Sequence, residues 1–185
     1  MINFPDAEFE PIVSAIAAIS ANKAGPILIA IDGPAGSGKT SLASQLSNNL
    51  KSVTTIHMDD LYNGWEDALS EELTLKLAGI IHAHKSGLDF PLSKFNWATM
   101  KFDKAEIVHS TEVLILEGVG AAQKLVRDAG AKTYWIETPA KIGLQRVLDR
   151  DGQHLHDLML NWQSYQSAHF KMDKTAENCD VKLTS

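Results

Sequence analysis

Gly33-Pro34-Ala35-Gly36-Ser37-Gly38-Lys39-Thr40 follows the apolar run Ile27-Leu28-Ile29-Ala30-Ile31 and precedes a stretch with helical spacing. These residues fit the pattern G-x-x-x-x-G-K-[ST], and a strand before with a helix after is the context in which that pattern cradles phosphate. Glycines free the backbone to wrap an anion. The loop amides and the N-terminus of the following helix aim positive potential at it. Lys39 adds a full charge for the outer phosphates, Thr40 offers a hydroxyl to Mg²⁺, and Ser41 continues the set into the first helical turn.

Outward from the loop, strands alternate with helices, the order that builds a parallel sheet covered on both faces. A helix carrying Ile12, Val13, Ile16 and Ile19 on one face precedes the first strand, Ile27 to Ile31. After the loop comes a helix from Thr40 to Leu50 with Leu42, Leu46 and Leu50 on one stripe, then a strand from Thr54 to Met58. The spacing predicts a helix from Glu71 to His84, with Leu73, Leu77, Ile80 and Ile81 inward and Gly87 as its stop. Further strands are expected at Val113 to Leu116, Thr133 to Ile136 and near Asp180 to Leu183. Helices are expected over roughly Ala121 to Ala129, Pro139 to Arg150, and Leu155 to Phe170.

With 185 residues, a single compact α/β domain spanning 1–185 is expected. The formal charge is −6 and no basic block occurs, so there is no electrostatic footprint for nucleic acid or an anionic membrane. An anionic nucleotide must then be held by local groups. The lone Cys179 fits a reducing compartment. Asp6, Glu8 and Glu10 stand where a signal peptide would be basic, and no apolar run approaches the length of a membrane span. A cytoplasmic protein is the expectation.

Open parallel sheets bind ligands at the carboxyl ends of their strands. Asp32 closes the first strand, Asp59 and Asp60 the second, and Glu117 the third. Glu117 follows four apolar residues, Val113 to Leu116, the way a Walker-B-type acid is presented to Mg²⁺ directly or through water. Thr40, Glu117 and Asp59 are the candidate metal-binding oxygens. In the Asp59-Asp60 pair, a carboxylate can accept the proton of an attacking hydroxyl, or else cap the loop. Asp32 is read as fixing loop geometry. Arg146 and Arg150 share a helix face. They read either as a short lid over about 146–156 that closes on a nucleotide, or as a solvated face paired with Asp149 or Asp151. His82 with His84, and His154 with His156, fall on different sides of their helices, lack a metal-ligand context and are expected to be exposed helix-end residues. His57 is assigned no chemistry.

The combination of Gly33 to Thr40, the segment His57-Met58-Asp59-Asp60-Leu61-Tyr62-Asn63-Gly64-Trp65, the segment Leu114 to Gly120 and the arginine segment Gln145 to Gly152 resembles the uridine kinase-like branch of P-loop kinases, close to phosphoribulokinases and pantothenate kinases. The resemblance runs from about Ile27 to Leu183. It implies a three-layer P-loop NTPase fold with a five-stranded parallel sheet ordered 2-3-1-4-5. It also implies ATP and Mg²⁺ as cofactors, and a small-molecule acceptor, foremost the 5′-hydroxyl of a pyrimidine nucleoside. Asp59 takes the role of base, Glu117 that of metal-binding acid, and Arg146 and Arg150 that of lid arginines beside Lys39. Acceptor contacts fall to Asp60, Tyr62, Trp65, Phe95 and Trp97. The aromatic residues among them either form a stacking wall for a planar base or pack under the loop. The acceptor segment departs from the pattern: Phe95-Asn96-Trp97 replaces a Tyr-Asp-aromatic element, and Met100 falls where characterised uridine kinases have histidine. A kinase for a nucleotide or other small metabolite, and a regulatory ATPase, remain the alternatives. No N-K-x-D guanine-reading element occurs, which favours ATP over GTP.

Overall fold

The computed structural model describes residues 10–16, 18 and 25–185. Ile19, Asp6 and Glu8 lie outside the described residues. Five parallel strands form the central sheet: β1 (Ile27–Asp32), β2 (Val53–His57), β7 (Val113–Glu117), β8 (Lys132–Glu137) and β9 (Val181–Thr184). They lie in the order β2-β7-β1-β8-β9, every pair parallel. Numbered among themselves the strands read 2-3-1-4-5, as the resemblance implies.

The central strands are apolar along their whole length because both sheet faces are covered. Ile27, Ile29 and Ile31 of β1 join one core with Val113, Ile115 and Ile136. Against them pack Leu42 and Leu46 from α2 (Lys39–Asn49), and Ile12 and Ile16 from the helix over 10–16, α1. The alternate residues Leu28, Ala30, Leu114 and Leu116 face a second core. That core receives Leu73, Leu77, Ile80 and Ile81 of α3 (Glu71–Lys85), Val126 of α4 (Lys124–Asp128), Val147 of α5 (Ala140–Asp151), and Met159 and Trp162 of α6 (His156–Asp173). A short α7 (Thr175–Asn178) then leads into β9.

Several boundaries differ from the sequence reading, and each has a local cause. The second strand stops at His57 because Met58 opens a 3₁₀ turn, Met58–Asp60, whose first carbonyl accepts from the amides of Leu61 and Tyr62. The fourth helix starts only at Lys124 because the amides of Gly120 and Ala122 are drawn to the Asp32 carboxylate. Gly87 does follow α3, with a φ of +66° that suits a residue without Cβ. His84 is a correction. It is buried and donates from Nε2 to the carbonyl of Ile27 at 2.9 Å, tying α3 to the start of β1. Burial holds its imidazole below the ordinary histidine range, consistent with the neutral donor.

Between α3 and β7 the sequence reading has no strands, yet two antiparallel ladders form. One pairs β3 (Phe90–Leu92) with β6 (Glu106–Val108), the other β4 (Phe95–Asn96) with β5 (Lys101–Phe102). Strands of two or three residues carry no period to read. The inner hairpin is turned by Asn96, whose Oδ1 accepts from the amides of Ala98 and Thr99 at 3.1 and 3.2 Å.

Candidate functional site

The loop after β1 closes on itself. Ser37 donates its amide to the carbonyl of Pro34, and Lys39 Nζ reaches the same carbonyl at 2.8 Å. Lys39 is 8 % exposed. Burial pushes its ammonium below the ordinary lysine range, while the carboxylates of Glu117, Asp32 and Asp59 pull it back up. Gly36 has a φ of +78°, and a Cβ there would collide with the backbone of Gly143 in α5. The loop and α5 are therefore in backbone contact, which only two glycines permit.

Asp32 holds the loop from behind. It is fully buried, and its carboxylate accepts from the amides of Gly33, Gly120 and Ala122 at 2.7, 3.0 and 2.8 Å. Desolvation pushes its carboxyl up to about 6 against the pull of these amides and of Lys39. The bonds join the end of β1 to the turn after β7, so its role is the fixing of loop geometry read from the sequence.

Glu117, 4 % exposed, is aimed at the loop from the end of β7. Its Oε1 accepts from Thr40 Oγ1 at 3.1 Å and from Nδ1 of His57. That bond raises the His57 pKa above its ordinary value. Register explains the meeting: His57 and Glu117 are direct partners at the ends of adjacent parallel strands. The sequence reading missed His57, because its relation to Glu117 appears only once β2 is placed beside β7.

Asp59 sits in the 3₁₀ turn after β2, open to solvent at the mouth of the site yet closely ringed by protein. Desolvation and then the charge of Glu117 raise its carboxyl above the usual range, while Lys39, Arg150 and His57 pull it down. A carboxylate so poised accepts a proton more readily than an ordinary surface aspartate. Asp60 points elsewhere, pairing with Lys94 at 2.9 Å. Thr40, Glu117 and Asp59 together offer a hydroxyl and two carboxylates at the carboxyl ends of three strands. Such hard oxygen donors fit Mg²⁺, which takes one or two carboxylates and fills its remaining positions with water and phosphate oxygens.

The arginines separate into two situations. Arg146 donates from NH1 to the carbonyl of Gly36 at 3.2 Å and to Ser185 Oγ at 3.0 Å, bracing the loop. Arg150 lies one turn on, mostly exposed, and is held by both carboxylate oxygens of Asp151 at 2.7 and 2.6 Å. The 146–156 segment comprises the end of α5, a break at Gly152 with φ +111°, and a 3₁₀ turn, Gln153–Leu155.

The aromatic segment is corrected in part. Tyr62 is 2 % exposed and donates its hydroxyl to the carbonyl of Val119 at 2.7 Å, so it packs under the loop and walls no pocket. Phe95 is likewise buried, edge-on to Trp97 and Phe102. Trp97 is half-buried, packs tilted against Trp65 at 4.9 Å between ring centroids, and donates Nε1 to the carbonyl of Asp59 at 3.1 Å. Trp97→Ala is therefore expected to cost roughly 2 kcal/mol of stability, less than a fully buried tryptophan, and to lower turnover by loosening Asp59 while ADP binding persists. Urea unfolding measured beside kcat and ADP affinity checks this. A destabilised variant whose folded fraction turns over normally would remove Trp97 from the positioning of Asp59.

One further residue escaped the sequence reading. Gln166 of α6 is 2 % exposed, and its Oε1 accepts the amide of Ala35 in the loop at 3.0 Å. It follows Met159 and Trp162 on the buried stripe of α6. An amide on an otherwise apolar stripe is the signal that could have found it.

No protein-family model matches the chain, and no curated protein matches it. Solved structures do. A possible uridine kinase from Bacillus stearothermophilus aligns over 95% of this chain and 96% of its own, with 22% identity and a TM-score of 0.66. A candidate fructose transport system kinase from a Silicibacter species aligns over 94% and 98%, with 18% identity and a TM-score of 0.74. A third similar structure, from Saccharomyces cerevisiae and described as a candidate P-loop containing kinase with a circular permutation, aligns over 96% and 99%, with 12% identity and a TM-score of 0.57. The chain thus has the P-loop kinase fold of uridine kinase-like structures.

Proposed function

We propose that this chain is an ATP- and Mg²⁺-dependent kinase that transfers the γ-phosphoryl group to a hydroxyl of a small molecule, foremost the 5′-hydroxyl of a pyrimidine nucleoside, in the cytoplasm. The observation that carries the reading is the convergence of Lys39, the Thr40–Glu117 pair and Asp59 at the carboxyl ends of β1, β2 and β7. The likeness to kinase structures supports it. Bound Mg²⁺ supplies charge neutralisation at the phosphate oxygens.

The loop amides and the N-terminus of α2 hold the phosphate chain, and Lys39 exchanges its bond to the Pro34 carbonyl for an outer phosphate oxygen. Thr40 and Glu117 supply the metal-binding oxygens, and His57 keeps the Glu117 carboxylate aligned. Asp59 orients the acceptor hydroxyl and takes its proton. The acceptor oxygen forms its bond to the γ-phosphorus as the bridging bond to the β-phosphate breaks.

A turnover screen of nucleosides, nucleotides and sugars, read as ADP release in ATP·Mg²⁺, tests the reading. Release dependent on a nucleoside supports it. Release dependent on a nucleotide or sugar would shift the acceptor class, and acceptor-independent hydrolysis alone would favour a regulatory ATPase.

The arginines give a sharper expectation. Arg150→Ala removes a charge near Lys39 and Asp59 without touching the loop, so it should lower kcat about thirtyfold, about 2 kcal/mol of transition-state stabilisation, with little change in ATP affinity. Arg146→Ala also unbraces Gly36 and should weaken ATP binding as well. Single-turnover rates beside ATP titrations separate the two. Equal losses of rate and affinity in Arg150→Ala would mean uniform binding and no role specific to transfer.

A further inference from the structure

One peptide unit of the loop is held from both sides. The bond between Pro34 and Ala35 is trans, so its carbonyl and its N–H point in opposite directions. The N–H of Ala35 donates to Oε1 of Gln166 at 3.0 Å, while the Pro34 carbonyl accepts from Lys39 Nζ at 2.8 Å and from the amide of Ser37 at 3.2 Å. Gln166 and Lys39 thus grip opposite edges of a single rigid plane.

Gln166 is itself fixed. It is 2% exposed and lies on the buried stripe of α6 with Met159 and Trp162. Three residues earlier on the same helix, Gln163 donates to the carbonyl of Ala140 at 2.7 Å, which ties α6 to the start of α5. α5 meets the loop in turn: a Cβ on Gly143 would fall 2.5 Å from the Ala35 carbonyl oxygen, and Arg146 donates to the carbonyl of Gly36. Ala35 and Gly36 are therefore registered on the α5–α6 pair, whereas Asp32 holds the loop at its first residue, Gly33.

We infer that Gln166 is a positioning residue for phosphoryl transfer: by holding the Ala35 amide it keeps the Pro34 carbonyl turned toward Lys39, and so sets where the lysine ammonium stands at the outer-phosphate end of the site. This rests on the kinase reading above and extends it to a residue of α6. Without the acceptor on α6 the Ala35 amide is left unpaired, and rotating the peptide plane toward another acceptor relieves it. That rotation carries the Pro34 carbonyl away from Lys39. The buried ammonium then shifts toward the carboxylates that surround it, Glu117, Asp32 and Asp59. An outer phosphate meets a displaced charge, while the inner phosphates still meet the amides at the N-terminus of α2.

Gln166→Met keeps the length of the side chain and removes its acceptor. Calorimetric titration should show ATP·Mg²⁺ bound about fivefold more weakly than by the wild-type protein, and ADP·Mg²⁺ changed less than about twofold. In a Lys39→Ala background the same substitution should change ATP·Mg²⁺ affinity less than about twofold, because the charge through which Gln166 acts is gone. A role confined to packing would weaken both nucleotides together, or weaken ATP equally with and without Lys39, and either result overturns the inference. Unchanged affinities in a folded Gln166→Met protein overturn it as well. Hydrogen exchange on the wild-type protein needs no variant: the Ala35 amide should exchange at least about tenfold more slowly than an open loop amide, and unretarded exchange would remove the bond to Gln166 and the role with it. Wild-type protein that binds neither nucleotide would overturn the kinase reading, and the positioning role with it, even where the Ala35 amide is protected.

Discussion

Lys39→Ala is expected to lower turnover by at least about a thousandfold while the protein stays folded. Lys39 is the cation seated among Glu117, Asp32 and Asp59, and its Nζ already rests on the Pro34 carbonyl, a bond it can trade for a phosphate oxygen. The alanine variant keeps the loop amides, and these still attract an anion. It leaves three carboxylates around the phosphate site with the central positive charge gone, so ATP affinity should fall too. Folding should survive because the loop is held by the bonds of Asp32 and Gln166, neither of which involves Lys39. Circular dichroism, ADP·Mg²⁺ titration and ADP-release rates check the three parts. A folded variant with unchanged affinity and rate would remove the phosphate-site assignment.

The reach of the sequence differs between the sheet and the site. The strand pattern was legible because Ile27–Ile31 and Val113–Leu116 are apolar on both faces, a requirement that burial between two helical layers imposes on each residue. Glu117 and Asp32 were legible for the same reason, since a carboxylate directly after such a run must stand at a strand's carboxyl end. Roles that depend on which strand neighbours which were hidden. His57 acquires a partner only because β2 pairs with β7 in the register that sets it opposite Glu117. Gln166 meets Ala35 across 131 positions of chain.

The aromatic segment shows a different limit. Residue type announced that Tyr62, Trp65, Phe95 and Trp97 would cluster, and they do, but type alone could not divide ring faces between core and surface. Tyr62 and Phe95 went to the core, joined there by Trp162 of α6, whereas Tyr165 on the same helix stays exposed. His84 was misread on similar grounds: the position looked like a helix end, yet the strand start at Ile27 supplies a buried carbonyl for its ring.

Asp59→Asn should lower kcat by about a hundredfold or more, the usual scale for loss of a general base, and leave ATP·Mg²⁺ affinity nearly intact. The change preserves size and hydrogen-bonding shape, and the carbonyl that receives Trp97 Nε1 belongs to the backbone, so the turn is kept. Glu117→Gln separates metal from base, because it removes the charge beside Thr40 and should weaken Mg²⁺-dependent ATP binding first. The pH profile adds a second, independent signature. Partial desolvation by the protein ringing it and the charge of Glu117 raise the Asp59 carboxyl above the ordinary range, so its protonated, inactive form gains population as pH falls toward that raised value. The wild-type rate should accordingly drop on the acid side earlier than an unperturbed aspartate would allow, and the asparagine variant should lose that limb while remaining slow throughout. If Asp59→Asn retains full turnover with its acid limb intact, the proton leaves by another route, and Asp60 is an unfavourable candidate because Lys94 already holds its carboxylate. The acceptor hydroxyl would then be activated by position and metal charge alone, a outcome that the loose transition state of phosphoryl transfer permits.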